Sequence, residues 1–436
     1  MPPRQLRPRL RPRPALWACA LAAAAGPAVA AGGAEQAPKA SKASKGSRVR
    51  STCAPELGLV TEDETAKSHV RSAQRFCNSS SPWAEQQLRV REVLGFVAPW
   101  SDHGYRSARY FRGKLSQVSP LWFRVLPGRG EGAAFEIAGW DLAEEQARWL
   151  EQTSGEFCQA QRCGRGPAVL PHFSLEGFEK LSALRAVLEA PVALAAEIAV
   201  TCDRAGFAGI VLDVRLALFP GLKALLPELV GAIGRALHAG GRRLVLSVPA
   251  PMPGMTKGPD FDDDDAAAVA GHVDAVVVGT RDFSKQEPGP AAPLPWVRAV
   301  LLRLLGKKPG EEAGGAAGKG LRADQLLFEI PVYGRAFREG AEEGRVINAG
   351  EIVKALAQQR PALEWDADAA EHSANLTKSR VQLSLPTFAF VSARLQLARS
   401  LGVGVALRDL SSGFDSVFDL LPVRSEAALD GAGLPS

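Results

Sequence analysis

The stretch FAGIVLDVR, residues 207–215, places an uninterrupted apolar run directly before Asp213 and Arg215. Short apolar runs of this kind predict a strand that is buried on both faces, as in parallel sheets. On either side lie the longer segments Leu181–Thr201 and Gly221–Ala239, whose apolar residues recur at intervals of three and four. That spacing is typical of amphipathic helices. Helix, buried strand and helix in succession predict a parallel sheet with crossover helices.

The same alternation continues along most of the chain. Further helical spacing occurs at Leu142–Gln152 and Phe388–Ser400. The segments predicted as strands are Val93–Ala98, Leu115–Val118, Ala168–Pro171, Gly209–Val214, Arg243–Val248, Ala275–Val278, Leu326–Val332 and Val403–Leu407. Eight strands with interleaved helices over about 330 residues predict an α/β fold, a single (β/α)8 TIM barrel.

Two longer connections interrupt this pattern. Lys307–Gly320 is rich in Gly and Lys and is predicted to be a loop. Arg335–Pro386 is too long for a turn, and we expect a helix around Glu351–Gln359 and a hairpin around Leu363–Leu385. The barrel therefore has a small insertion after strand seven. In barrels of this type the loops that follow the strands build the site, so residues at strand ends deserve most weight.

The beginning of the chain has the layout of a secretory signal. The first 34 residues contain no Asp or Glu, and an arginine-rich start leads into the apolar run Ala15–Ala25 and the small-residue triplet Ala28-Val29-Ala30. This predicts a signal peptide over residues 1–30, although organelle transit peptides are also rich in arginine and poor in acids. We expect the protein to be secreted or to reside in the lysosomal or endomembrane lumen.

The remaining boundaries follow from composition. Residues 31–90 are predicted as a flexible low-complexity leader, 91–421 as the barrel and 422–436 as a C-terminal tail. The net charge of +5 derives largely from Lys and Arg before residue 50, so we expect no nucleic-acid partner. After the leader, no segment offers about 20 uninterrupted apolar residues, and we expect no membrane span.

Cysteines and glycosylation motifs agree with a lumenal location. Local pairing is predicted for the cysteines outside the signal peptide, with buried reduced thiols as the alternative; the pairs are Cys53 with Cys77 and Cys158 with Cys163. Two acceptor sequences for N-linked glycans occur, at Asn78-Ser79-Ser80 and Asn375-Leu376-Thr377. Such short motifs are also frequent by chance.

Polar residues end four of the predicted strands. In strand four, the period-two alternation places Val211, Asp213 and Arg215 on one face, toward the barrel interior. The other three segments are VVVGTRDF at residues 276–283, FEIPVYGRAF at residues 328–337 and GVGVALRDLSSGFD at residues 402–415.

These four segments resemble glycoside hydrolase family 18. The family's strand-four pattern of three Asp and a final catalytic Glu falls on Ala208, Val211, Asp213 and Arg215, so only Asp213 is retained. Strand seven matches the family at Pro331, Tyr333, Gly334 and Arg335. Because arginine stays protonated, Arg215 cannot act as the general acid of the substrate-assisted reaction that the resemblance implies.

The resemblance also locates substitutions in the other strands. Strand six keeps Thr280 and Asp282 but has Arg281 in place of the family's Tyr, and strand eight has Arg408 and Asp409 in place of Trp and Glu. The overall pattern is similar to a branch of secreted or lysosomal, saccharide-binding chitinase-like proteins that lack the acidic catalytic residue.

We therefore expect a non-catalytic carbohydrate-binding protein whose ligand is a chitin oligosaccharide or related glycan. The predicted ligand-binding residues are Trp100, Asp213, Arg281, Asp282, Tyr333, Arg408 and Asp409. No cofactor or metal is expected, because no recognised motif for either occurs. Two alternatives remain: an interaction scaffold for a protein receptor with a degenerate groove, and a divergent glycoside hydrolase.

Several residues have a purely structural interpretation. Asp213 can pair with Arg215, and Tyr333 and Trp122 can serve in packing. Trp100 and His103 follow strand one, in a segment whose side chains can line a groove. The acidic run Asp262–Asp265 is expected at the solvated N-terminus of a helix.

Overall fold

A computed structural model of the 436-residue chain describes residues 58–73, 90–129, 132–139, 144–159, 162–253, 261–308, 320–422 and 424. The predicted signal peptide, Cys53, Cys77, Asn78 and most of the loop Lys307–Gly320 lie outside the described residues.

The parallel strands of the barrel follow one another around the sheet in chain order. They are β1 (Val93–Val97), β2 (Gln117–Pro120), β3 (Phe123–Pro127), β7 (Ala168–Val169), β8 (His172–Leu175), β9 (Gly209–Asp213), β10 (Arg243–Pro249), β11 (Ala275–Gly279), β12 (Leu326–Pro331) and β18 (Gly404–Arg408). Strand β18 pairs with both β12 and β1, which joins the last strand of the barrel to the first. The predicted α/β barrel fold is confirmed.

The second and third barrel strands are each divided into two segments. Strand β2 pairs with β1 and β7, whereas β3 pairs with β8, which in turn pairs with β9. The third barrel strand therefore extends to Leu175, four residues beyond the predicted end at Pro171. Pro171 has no backbone N–H and favours a break in the ladder rather than the end of the strand.

Three short additional strands lie in this part of the chain. Strand β4 (Phe135–Ala138) pairs antiparallel with β3. A separate hairpin of β5 (Glu156–Gln159) and β6 (Arg162–Arg165) places the backbone of Cys158 directly opposite that of Cys163. This register brings together the two residues predicted to form a local disulfide.

Apolar side chains cover both faces of the barrel strands. An inner cluster includes Leu94, Phe96, Val211, Val245 and Leu327, all fully buried. The opposite faces of the strands pack against the helices in a larger cluster. Burial on both faces explains why the strands are near-continuous apolar runs.

The helices lie between the strands in sequence. They are α1 (Ala66–Ala73), α2 (Asp102–Tyr110), α3 (Glu144–Ser154), α4 (Leu181–Leu188), α5 (Pro191–Ala205), α6 (Leu226–Ala239), α7 (Asp263–Val269), α8 (Leu294–Leu304), α9 (Ala349–Gln359) and α10 (Phe388–Leu401). Among the described residues, none of the helices combines the length and apolar character needed to cross a membrane.

Two local features of the helices bear on the predictions. Leu181–Thr201, predicted as one helix, is divided into α4 and α5 because Pro191 disfavours helical backbone at Ala190. The acidic run does begin a helix: Asp262 caps α7, and its side chain and that of Asp265 accept hydrogen bonds from each other's backbone N–H.

The insertion after strand seven forms an antiparallel sheet. Its strands are β13 (Gly334–Arg338), β14 (Arg345–Ile347), β15 (Leu363–Asp366), β16 (Glu371–Leu376) and β17 (Val381–Leu385), in the order β14-β13-β17-β16-β15. Helix α9 connects β14 to β15. The predicted helix is present, and the predicted hairpin is a three-stranded meander.

A helix also occurs in the segment that the sequence predicts as a flexible leader. In α1, Ala66 and His69 are buried, and His69 Nδ1 lies 3.0 Å from Glu64 Oε1. The carbonyl of Glu62 accepts a hydrogen bond from His372 Nε2 at 2.9 Å. The low-complexity composition covers only residues 31–50, and the following residues carry apolar groups at helical spacing that pack against the insertion.

Candidate functional site

The strand-four motif divides between the barrel interior and its mouth. Val211 lies in the inner apolar cluster, while Asp213 is the last residue of β9 and faces the mouth. Arg215 was expected on the same strand face, and this is wrong. The backbone turns at Val214, and Arg215 begins a 3-10 helix with its side chain 49% exposed. Asp213 is the last residue of β9 in register with its neighbours, opposite Ser174 of β8 and Ser247 of β10.

Asp213 is nevertheless bound by Arg215. Its Oδ1 accepts a hydrogen bond from the Arg215 backbone N–H at 2.9 Å, and Arg215 Nη2 lies 3.6 Å from Oδ2. Asp213 and Arg215 are therefore paired, as the structural interpretation expected. The arginine lies at the edge of the mouth rather than inside it.

Glu329 is bound by two arginine side chains at the mouth. Glu329 is 1% exposed on β12. Arg281 Nε donates to its Oε2, and Arg408 Nη1 donates to its Oε1 at 3.1 Å. Strands β11 and β18 flank β12, so residues at their ends converge on one glutamate. Arg281 and Arg408 thus bind the same carboxylate.

Asp282 extends this network toward the insertion. It accepts hydrogen bonds from Arg281 Nη1 at 2.7 Å, Arg335 Nη1 at 2.8 Å and the Tyr333 hydroxyl at 3.1 Å. Arg335 also donates to the carbonyl of Gly344 at 2.5 Å. Four predicted ligand-binding residues (Arg281, Asp282, Tyr333 and Arg408) therefore belong to one network, here called the mouth network, together with Glu329 and Arg335.

The protonation of the mouth network follows from burial and charge. Burial disfavours ionisation of Asp282, but Arg281 and Arg335 outweigh it, and its pKa is lowered. Burial raises the pKa of the Tyr333 hydroxyl, so this group remains a hydrogen-bond donor. Burial by itself would lower the pKa of Arg281, but attraction to Glu329 outweighs this effect and the pKa is raised. Near neutral pH, Asp282 and Arg281 are therefore charged and the Tyr333 hydroxyl is neutral.

His172 is a mouth residue that the sequence analysis missed. It is 5% exposed on β8, its Nε2 is buried without a hydrogen-bond partner among the described residues, and its ring contacts Phe96 edge-on. Burial lowers the pKa of His172 to about 4, with Asp213 acting in the opposite direction. The alternation of Leu170, His172 and Ser174 could have revealed it, but the predicted strand ended at Pro171.

The remaining predicted residues lie outside the mouth network. Trp100 follows β1 and is 76% exposed. Asp409 follows β18 with a φ of 63°, and its Oδ1 is buried without a hydrogen-bond partner in the described part of the chain. Trp122 instead serves in packing: its Nε1 donates to the Tyr105 hydroxyl at 2.6 Å. Arg408, a member of the mouth network, also places its guanidinium 4.7 Å from the centre of the Phe96 ring.

A cavity lies beside these loops. It has a volume of about 360 Å³ and is lined by His103 at the start of α2, by residues 411–415 after β18 and by the start of α9. His103 Nε2 stands 3.6 Å from Asp415 Oδ1 in its wall. The sequence placed Trp100 and His103 beside a groove, and His103 does line this cavity.

Solved structures with a similar fold include chitinases and a spore cortex-lytic enzyme. A chitinase from Chromobacterium violaceum has a TM-score of 0.61 at 18% identity, over 76% of this chain and 98% of its own. The spore cortex-lytic enzyme SleL of Bacillus megaterium has a TM-score of 0.62 at 16% identity, over 79% and 76%. No family model matches the sequence.

A plant enzyme belongs to the same group of structures. The GH18 chitinase from Cycas revoluta in complex with (GlcNAc)3 has a TM-score of 0.54 at 14% identity, over 78% of this chain and 100% of its own. Identities this low are informative about the fold alone. The chain has the barrel fold of these chitinases and cortex-lytic enzymes.

Proposed function

We propose that this protein is a chitinase-like carbohydrate-binding protein of the secretory or lysosomal lumen, which binds chitin oligosaccharides or a related glycan without hydrolysing them. By sequence pattern it resembles chitinase domain-containing protein 1, a stabilin-interacting chitinase-like protein, and this relationship is part of the proposal. The fold shared with chitinases supports the general ligand class.

The observation that carries the non-catalytic part is the pairing of the mouth carboxylates with arginine. Asp213 is bound by Arg215, and Glu329 by Arg281 and Arg408. Glycoside hydrolysis needs a carboxylic acid that delivers its proton to the leaving oxygen. Arginine cannot replace that acid at neutral pH, because it remains protonated.

The binding part rests on the rim of the mouth. Trp100 exposes most of its indole, and a large amphipathic ring of this kind offers a flat apolar face to a sugar. The cavity at His103 lies beside the loops after β1 and β18 and adds concave surface. The expected ligand path crosses these loops above the mouth network.

The decisive measurement is calorimetric titration of residues 31–436 with chito-oligosaccharides of increasing length, with product analysis of the same samples. We expect saturable heat and no continuing release of sugar. Trp100→Ala should weaken binding about 5- to 30-fold, since a stacked aromatic contributes on the order of 1–2 kcal/mol. Val192→Ala on the outer helix α5, also strongly exposed, is the matched control and should bind like the native chain.

Other results would contradict the proposal. No heat with any oligosaccharide at millimolar concentration would overturn carbohydrate binding and favour a protein-interaction scaffold. Steady product release would overturn the non-catalytic assignment, and loss of that release in Asp213→Asn would identify Asp213 as part of a divergent hydrolase. Equal loss of affinity in the Trp100 and Val192 variants would remove the rim from the binding site.

A further inference from the structure

The acceptor sequence Asn375-Leu376-Thr377 occupies the end of strand β16 in the insertion. Asn375 and Thr377 are both exposed, whereas Leu376 between them is buried in the apolar core. The two residues that define the acceptor, one at the end of the strand and one at the start of the turn, therefore both lie at the surface. Within the described part of the chain, no hydrogen bond engages either side chain.

The backbone beyond Leu376 turns sharply away from the sheet. Residues 377–380 connect β16 to β17, with Arg380 at a φ of 53° and the Ser379 N–H donating to the Leu376 carbonyl at 3.1 Å. Asn375 itself pairs in register with Gln382 of β17. The acceptor thus stands at a turn on the rim of the sheet, where an attached group can extend into solvent.

A cavity of about 540 Å³ opens next to the acceptor. Asn375 and Thr377 line it together with Arg338, Glu339, Arg380 and Gln382 from the neighbouring strands and turns. Its charged and amide side chains supply both hydrogen-bond donors and acceptors, which suits the hydroxyl and acetamide groups of a sugar. The cavity therefore leaves room for the first sugar beside its attachment point.

We infer that Asn375 is a site of N-linked glycosylation, and that the glycan covers the outer face of the insertion. In the reaction, Asn375 Nδ2 forms a bond to the anomeric carbon of an oligosaccharide carried on a polyprenyl diphosphate. The carbon–oxygen bond to the diphosphate breaks, and the amide loses one proton as the lipid diphosphate leaves. This inference rests on the proposed lumenal location, because the donor is available only there.

The test is translation of the full chain in the presence of microsomes. Protease protection reports entry into the lumen, and the mobility shift that N-glycosidase reverses reports glycans. Asn375→Gln and Thr377→Ala should each remove one step of the shift, whereas Thr377→Ser, which keeps the acceptor sequence, should retain it. Asn78→Gln separates the contribution of the second acceptor sequence.

Two further outcomes are informative. A protected chain whose shift is unchanged by Asn375→Gln would overturn the site while leaving the lumenal location intact. If the native leader gives no protection, the same variants are measured with residues 31–436 behind a heterologous cleavable signal. Loss of one step there supports the site and contradicts the proposed location, and an unchanged shift overturns the site.

Discussion

Three buried or mostly buried charges compensate one another at the mouth: those of Glu329, Arg281 and Arg408. Glu329 is almost fully buried, and the two arginine side chains are only 20% and 18% exposed. A buried charge is costly unless a partner of opposite charge is bound to it. The two arginines therefore compensate the charge of a third residue, which lies 48 and 79 positions away in the chain.

We predict that Glu329→Gln lowers the free energy of unfolding by about 3–5 kcal/mol, because it leaves two guanidinium groups without their shared carboxylate. Chemical denaturation measures the change. Glu189→Gln is the control: Glu189 pairs with Arg185 at 2.7 Å, but both are about half exposed, and such pairs contribute about 0.5 kcal/mol or less. Similar losses in the two variants would contradict the importance of the mouth network.

At the level of elements, helix α10 is tied to the insertion by a buried ion pair. Arg394 Nη2 donates to Glu371 Oε1 of β16 at 3.0 Å. Glu371 also accepts the backbone N–H groups of Ala291 and Ala292, each at 2.7 Å, in the loop after β11. Burial raises the pKa of Glu371 and lowers that of Arg394 to about 10, with their mutual attraction opposing both shifts. One pair therefore fixes a helix, a strand and a loop.

We predict strong coupling between these two side chains. Arg394→Met and Glu371→Leu should each cost several kcal/mol, since each leaves a buried charge unpaired. The double variant should cost less than the sum by about 1–3 kcal/mol. Urea unfolding of the native chain, both single variants and the double variant provides the cycle. Additive losses would show that the pair does not act as a unit.

For the whole molecule, buried neutral histidines make stability depend on pH. Burial lowers the pKa of His172 from its ordinary value of 6.5 to about 4, and it also lowers that of His372. In the unfolded chain these side chains bind protons near pH 6.5, whereas in the folded chain they do so only at lower pH. Their contribution is complete above pH 6.5 and decreases as the pH falls from 6.5 toward 4.

We predict that the native chain loses stability between pH 7 and pH 4.5, and that His172→Gln reduces this loss by up to about 2–3 kcal/mol, at 1.36 kcal/mol per pKa unit. Thermal unfolding is measured at both pH values for each chain. The loss of stability between the two pH values is then compared between the native chain and the variant. His238→Gln, a half-exposed residue beside Asp274, is the control. An unchanged pH dependence in the His172 variant would contradict burial of a neutral ring among Asp213, Glu329, Arg215 and Arg408.

The sequence predicted those residues of the candidate site that lie at the ends of recognisable strands. Arg281, Asp282, Tyr333 and Arg408 were recognised from motifs, because residues at the ends of parallel strands must meet at one mouth. His172 was missed because a proline interrupts its strand, and Arg215 was misplaced because alternation was extended past the last paired residue. Neither error is visible without knowing where strand pairing stops.

The sequence by itself determined the barrel and the presence of an insertion after strand seven, since both follow from local periodicity. Only the tertiary structure decided that Arg281 and Arg408 share Glu329, that Arg215 stands at the rim and that α1 packs against the insertion. The physical reason is that pairing of buried charges depends on distances between residues far apart in the chain, and local patterns carry no information about those distances.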